Sequence, residues 1–181
     1  MILISGSVSG CKNKRIPPTM VLTPIPTITP IYTPVVSFGT GGTCGSINNP
    51  MQFMTPCGIA VDSENNVFLV DTGNHRVTKF DSSGNSISSW GGSACDGYGT
   101  GDGQLKWPLG IAIDNSDNIY VLDSDNYRIQ KFDHSFNFIK KWGSQGSGPG
   151  QFSYAMGIAT SGAGTIFVAD TQNNRIQKFA P

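Results

Sequence analysis

Asp71-Thr-Gly-Asn-His-Arg76-Val-Thr-Lys-Phe80 returns as Asp123-Ser-Asp-Asn-Tyr-Arg128-Ile-Gln-Lys-Phe132 and again as Asp170-Thr-Gln-Asn-Asn-Arg175-Ile-Gln-Lys-Phe179. Ahead of each copy stands a second shared phrase: Gly58-Ile-Ala-Val, Gly110-Ile-Ala-Ile and Gly157-Ile-Ala-Thr. Gly and Asp are 13 residues apart every time (71−58, 123−110, 170−157). A period of about 45–50 residues carrying several short strands predicts a propeller blade or a similar array.

Each repeat divides into four short apolar runs. The first is Gly-Ile-Ala-Val/Ile. The second is Asn66-Val-Phe-Leu-Val70, Asn118-Ile-Tyr-Val-Leu122 or Thr165-Ile-Phe-Val-Ala169. The third is Arg-Val/Ile-Thr/Gln-Lys-Phe. The fourth is Ser86-Ile-Ser-Ser-Trp90 or Phe138-Ile-Lys-Lys-Trp142. Short β-branched and aromatic runs that end in Gly, Asn, Asp or Ser read as strands. The second run is apolar almost throughout, which predicts a strand covered on both faces, as between two neighbouring blades. The third and fourth runs mix in Lys and Ser and are expected near water. Asp62-Ser-Glu-Asn-Asn66, Asp114-Asn-Ser-Asp-Asn118, Asp81-Ser-Ser-Gly-Asn85 and Asp133-His-Ser-Phe-Asn137 supply turn chemistry between them. No amphipathic helix of useful length is legible, so the fold class is all-β.

A long Gly-rich loop leads from each fourth strand to the next first strand. Its landmarks are Gly103-Gln104-Leu105, Gly150-Gln151-Phe152 and a degenerate Met51-Gln52-Phe53. Trp90 to Pro108 is 18 residues and Trp142 to Ala155 is 13, which accounts for the whole change in period from 52 (110−58) to 47 (157−110). Variation confined to one loop type puts it on one face of the array, where binding residues usually reside.

Pro108-Leu-Gly110-Ile-Ala-Ile-Asp114, Asn118-Ile-Tyr-Val-Leu-Asp123, Asn126-Tyr-Arg128-Ile-Gln-Lys-Phe132 and Trp142-Gly-Ser-Gln-Gly-Ser-Gly-Pro-Gly-Gln-Phe152 resemble consecutive blade strands of the NHL-repeat family. The resemblance covers about residues 35–181 and implies four-stranded blades around a central channel. It implies no single function: members of this and neighbouring propeller families serve as ligand-binding ectodomains, RNA- or protein-binding modules and metal-dependent enzymes, so function must come from the site.

The sequence divides into 1–16, 17–34 and 35–181. Val8-Ser-Gly-Cys11 resembles a bacterial lipobox, in which the Cys becomes lipidated, although the apolar run before it is short and no basic segment precedes it. The expectation is a truncated lipoprotein signal with Cys11 as the lipidation site. Residues 17–34 carry Pro17, Pro18, Pro24, Pro26, Pro30 and Pro34 among Thr and Ile. Proline lacks the N–H a ladder needs, so this segment reads as a semi-rigid spacer that would hold a folded domain off a membrane.

The chain balances 12 Lys+Arg against 12 Asp+Glu. Without Lys12, Lys14 and Arg15, the propeller region holds 9 basic residues (12−3) against 12 acidic, a formal −3 (9−12). That argues against a nucleic-acid partner, whose phosphates call for a basic stripe. Arg76, Arg128 and Arg175 each follow an Asp (Asp71, Asp123, Asp170) by five residues; a device present in every blade reads as scaffold that ties the second strand to the third. Cys44, Cys57 and Cys95 also occur. A Cys44–Cys57 bridge, or one from either to Cys95, is the expectation for an exported protein, against three separate thiols. His75 and His134 are expected as exposed turn residues and cannot furnish a three-His metal site. Asp96-Gly-Tyr-Gly-Thr-Gly-Asp102 has oxygen ligands for calcium but not the regular spacing, so no metal and no cofactor are expected.

The sequence therefore reads as a non-catalytic binding or scaffold module, exported to the cell envelope or beyond and touching a membrane only through a lipid anchor. A protein or carbohydrate ligand would meet the long-loop face at Tyr98, Trp107, Phe152 and Tyr154, with loop packing as the alternative role for these four. The rival reading is a propeller enzyme of the metal-dependent lyase or lactonase type with its site at the channel mouth. Pro34-Val-Val-Ser-Phe38 aligns with the fourth strand, since Phe38 to Trp90 is 52 residues, as is Trp90 to Trp142. Three blades fall short of the usual 4–8. The expectation is a homodimer, or a piece of a larger propeller.

Overall fold

The computed structural model describes residues 37–42, 49–92 and 97–181, all within the unit Ser37–Pro181. A short β1 (Thr40–Gly41) pairs in parallel with β2 (Gln52–Phe53). The first blade is the antiparallel meander β3 (Pro56–Val61), β4 (Val67–Asp71), β5 (Arg76–Phe80) and β6 (Ser86–Gly91). The second is β7 (Pro108–Ile113), β8 (Ile119–Asp123), β9 (Arg128–Phe132) and β10 (Phe138–Trp142). Then β11 (Ser144–Gln145) pairs in parallel with β12 (Gln151–Phe152), repeating β1 and β2. The third blade has three strands, β13 (Gly157–Thr160), β14 (Ile166–Asp170) and β15 (Arg175–Phe179). Among the described residues the ring is not closed.

Turn chemistry sets the meander. Asp62 and Asp114 each accept backbone N–H bonds from the residues two and four positions on, and Asp81 and Asp133 do the same at the later turn. The Asx oxygen replaces the backbone acceptor that a tight reversal removes. Between the second and third strands runs a single 3-10 turn, Thr72–Asn74, Ser124–Asn126 or Thr171–Asn173. It ends on a residue in the left-handed region, His75, Tyr127 or Asn174.

The core lies between blades. Phe68, Val70 and Val77 of the first pack on Ile111, Ile119, Val121 and Phe132 of the second. The other face of the second, with Tyr120, Leu122 and Ile129, packs on Ile166 and Val168 of the third. The first-strand glycine makes this approach feasible: a Cβ at Gly58 would lie 2.9 Å from the Leu109 carbonyl oxygen, and one at Gly110 would lie 2.9 Å from Ile158 Cγ2. Aromatic rings step from blade to blade at the outer edge. Phe38 meets Phe80 at 5.3 Å, Trp90 meets Phe132 at 6.2 Å and Trp142 meets Phe179 at 6.0 Å. The alignment of Phe38 with Trp90 and Trp142 is thus visible as a contact, although Ser37–Gly39 carries no ladder and residues 34–36 lie outside the described residues.

The burial of the third strand departs from the sequence reading. β5 and β9 are buried at four of five positions while β6 and β10 are half exposed; only in the third blade does the third strand, β15, alternate half-buried and exposed as expected. Lys79 of β5 and Lys131 of β9 stay half-buried by lying over aromatic rings, Phe68 at 5.0 Å and Tyr120 at 5.2 Å. A Lys in a strand thus does not by itself mark water contact.

Candidate functional site

The repeated Asp and Arg stand opposite each other in register where the second strand turns into the third. Nε of Arg76, Arg128 and Arg175 donates to its Asp at 2.9, 2.7 and 2.9 Å. The rest of each guanidinium turns to the long loop that precedes its blade. Arg128 donates to the carbonyls of Thr100, Gly101 and Gln104, Arg175 to those of Ser147, Gly148 and Gln151, and Arg76 to those of Asn49 and Gln52. The planar fork suits several fixed acceptors at once. Each Asp also accepts from the backbone N–H that ends the loop, of Met54, Lys106 or Ser153, at 2.7, 2.7 and 2.8 Å. Burial between two blades pushes the Asp123 carboxyl up, even though Asn126, the Lys106 N–H and Arg128 stabilise its charged form. At Asp170 burial acts the same way but the same kinds of donor outweigh it and the group is held low. Both side chains are inaccessible to water; among the described residues no further blade lies over Asp170, so less protein surrounds it.

Gln130 and Gln177 complete the clip and were not singled out in the sequence. Gln130 accepts from the Gly103 N–H and donates to the Gln104 carbonyl and Asp123; Gln177 does the same with Gly150, Gln151 and Asp170. The signal was present: the copy without this Gln, at Thr78, is the one with Met51 in place of the loop glycine.

The residue after the pinned amide is Thr55, Trp107 or Tyr154, and each has a left-handed backbone, with φ of 47, 44 and 46°. The pinned residue is held from both sides, since its carbonyl also accepts the N–H of Gly73, Asp125 or Gln172. Left-handed backbone costs a residue with a Cβ about 1–2 kcal/mol, so the surrounding bonds must impose it. A constant frame thereby presents a variable side chain, and all three residues are exposed. Around Trp107 the surface is composite. Its backbone N–H donates to His75 Nδ1 at 3.0 Å, and the His75 ring meets the Trp107 and Tyr98 rings edge-on at 5.3 and 5.4 Å. Lys106 Nζ lies 5.3 Å from the Tyr98 ring centroid and 3.9 Å from Asp125.

Of the four aromatic residues singled out as contacts, Tyr98, Trp107 and Tyr154 are exposed, and Tyr98 and Trp107 are brought together. Phe152 is a correction: it is buried among Leu122, Ile129 and Phe179, as Leu105 is buried one repeat earlier. The landmark Gly-Gln-Leu/Phe is a packing anchor. His75 is a second correction: it is buried under Tyr98 and Trp107 because a long loop folds over its turn, whereas His134 is exposed. Cys57 is exposed, with its Sγ 3.5 Å from the Thr55 carbonyl oxygen; Cys11, Cys44 and Cys95 lie outside the described residues, as does Asp96. Asp102 pairs with Lys141 at 2.6 Å. Among the described residues, no three His, Cys, Asp or Glu side chains gather as metal ligands.

Residues 53–80, 105–132 and 152–179 each match the NHL repeat model, from the Phe or Leu of the loop to the Phe that closes the third strand. The chain carries three NHL repeats. Protein brain tumor from Drosophila melanogaster is 35% identical over 95 residues, 51% of this chain and 9% of that protein. Human NHL repeat-containing protein 3 is 30% identical over 98 residues, 52% of this chain and 27% of that protein. The NHL chain thus spans a minor part of either relative. An auxiliary nutrient binding protein from Bacteroides thetaiotaomicron superposes with a TM-score of 0.54 at 18% identity, over 67% of this chain and 36% of that one. A catalytically inactive virginiamycin B lyase from Staphylococcus aureus, with quinupristin, gives 0.50 at 14% identity, over 74% and 43%. These likenesses establish the β-propeller fold of the NHL repeats and nothing about their ligand.

Proposed function

We propose that these NHL repeats form a non-catalytic binding or scaffold module whose partner, a protein or a carbohydrate, meets the surface of Tyr98, Trp107 and Tyr154. The observation that carries this reading is the contrast between frame and display. The Asp-Arg clip recurs in all three repeats, yet the left-handed residue it presents changes from Thr55 to Trp107 to Tyr154. Exposed aromatic rings on a pinned backbone bind at low entropic cost, because little remains to be ordered on contact. The setting proposed is the outside of a cell envelope, with Cys11 as the anchor and residues 17–34 as the spacer.

The experiment uses Trp107 as its own reporter, with Trp90→Phe and Trp142→Phe silencing the other indoles. Soluble oligosaccharides and peptides are titrated against its fluorescence. A saturable change, lost in Tyr98→Ser and Tyr154→Ser variants of unchanged melting temperature, is the expected result. Binding that survives both changes moves the site off this face, and chemical turnover of the bound compound overturns the non-catalytic reading. Radiolabelled fatty acid should enter the exported wild type and not Cys11→Ser; no label in either removes the anchor.

A further inference from the structure

We infer that two copies of this chain associate head to tail, the outer face of the third blade in each copy seating on the outer face of the first blade in the other. The two open faces are the two halves of an interface that the chain already builds twice. On the forward face, Val77 and Ile129 are 0% exposed, while their third-blade equivalent Ile176 is 75% exposed. Phe167 and Ala159 are exposed on the same face, where Phe68, Tyr120 and Ala112 are buried. On the backward face, Ile111 is 5% exposed and Ile158 half-buried, while their first-blade equivalent Ile59 is 65% exposed, with Val61 beside it. An apolar surface repeated in register with a buried one fits the same partner, a further blade of the same sequence pattern.

Two finer features agree. Gly58 and Gly110 each leave room for the next blade's backbone or side chain within 3 Å of a would-be Cβ; at Gly157 that space holds only Ala169 of its own blade, at 3.4 Å. Thr72 and Ser124 donate their hydroxyls to the next blade, at Pro108 O and Ala155 O, both at 2.8 Å. The equivalent Thr171 turns back to Ala169 O at 3.4 Å. In the proposed pair, Thr171 donates to Pro56 O of the second copy. Among the described residues the edge of β15 is also unpaired, while Val77 pairs with Trp90 and Ile129 with Trp142. By the same register, Ile176 pairs with Phe38 of the second copy, whose ring already occupies the interblade position on Phe80. The described residues of two copies together supply six blades, within the 4–8 that close a ring. The inference is independent of the ligand reading above.

Sedimentation equilibrium of the 181-residue chain should give twice the 19.2 kDa chain mass. Ile59→Glu and Ile176→Glu, both at exposed positions, should each keep the wild-type circular dichroism spectrum and sediment as monomers. Mixed in equal amounts they should pair again, because one intact forward face then meets one intact backward face. With all four cysteines replaced by Ser, oxidation of mixed Phe38→Cys and Ile176→Cys chains should give a covalent dimer, which neither alone should form. A monodisperse single-chain mass for the wild type overturns the inference. Open-ended polymers overturn the closed pair. An Ile59→Glu chain that remains dimeric while Ile176→Glu is monomeric means tail-to-tail contact and overturns the head-to-tail arrangement.

Discussion

Arg128 shows how much one residue of this chain holds. Its Nε closes an ion pair with a fully buried Asp123, and its terminal nitrogens fix three carbonyls of a loop with little regular structure of its own. Truncation leaves a buried carboxyl without its cation, a loss of about 3–5 kcal/mol. Arg128→Ala should therefore lower the melting temperature strongly and expose residues 97–104 to protease. Arg175→Ala should cost less, since that side chain is more exposed and its blade is covered on one face only. An unchanged melting temperature for Arg128→Ala, with binding abolished, would move this residue from scaffold to ligand contact. Phe136 is the other residue whose local role runs against its type. It adopts φ of 67° in a turn where the first blade has Gly84, and its ring stacks on Trp90 at 3.8 Å. Packing between blades here outweighs the left-handed strain.

At the scale of the element, the turn between first and second strands is a charge device. Burial pushes the Asp114 carboxyl up, but hydrogen bonds from the Asn118 side chain and backbone, the Tyr120 hydroxyl and the Ser116 N–H outweigh it, and the group sits below the ordinary carboxylate range. Tyr120 is driven in the opposite direction, by burial and by its bond to Asp114. A carboxyl depressed in the folded state contributes stability above its unfolded pKa of about 3.9, and that contribution is lost as pH falls through the lower folded value. Asp114→Asn should thus cost about 1.5–3 kcal/mol at neutral pH, the range for hydrogen bonds to a charged group. The difference from wild type should shrink below about pH 3. Thermal melts at pH 7 and pH 2.5 decide it; an equal deficit at both would assign the loss to shape rather than charge.

For the whole molecule, stability should follow the number of neighbours a blade has, as in other arrays of stacked repeats. The second blade is covered on both faces and its β8 is buried at every position, whereas β14 alternates buried and exposed. Leu122→Ala should cost about 2–5 kcal/mol by leaving a cavity between blades. Ile176→Ala, measured in dilute monomer, should stay within about 0.5 kcal/mol, because its side chain is already in water. Comparable losses at the two positions in the monomer would show that the third blade's outer face is covered within one chain.

By itself the sequence determined what is periodic: the strand order, the turns, the opposition of Asp and Arg, and the equivalence of Phe38, Trp90 and Trp142. Those features rest on spacing and on the conformational preferences of single residues, which neighbours in the chain express without help. The tertiary structure decided what depends on which surface another blade covers. It made Phe152 a core residue and Trp107, two residues beyond the equivalent Leu105, an exposed one. It buried His75 beneath a loop whose aromatic residues lie 23 and 32 positions later (98−75, 107−75). It also turned Lys79 and Lys131 from marks of water contact into half-buried partners of aromatic rings. Periodicity says that a strand has two faces, but only the packing of one blade on the next sets which of them meets water.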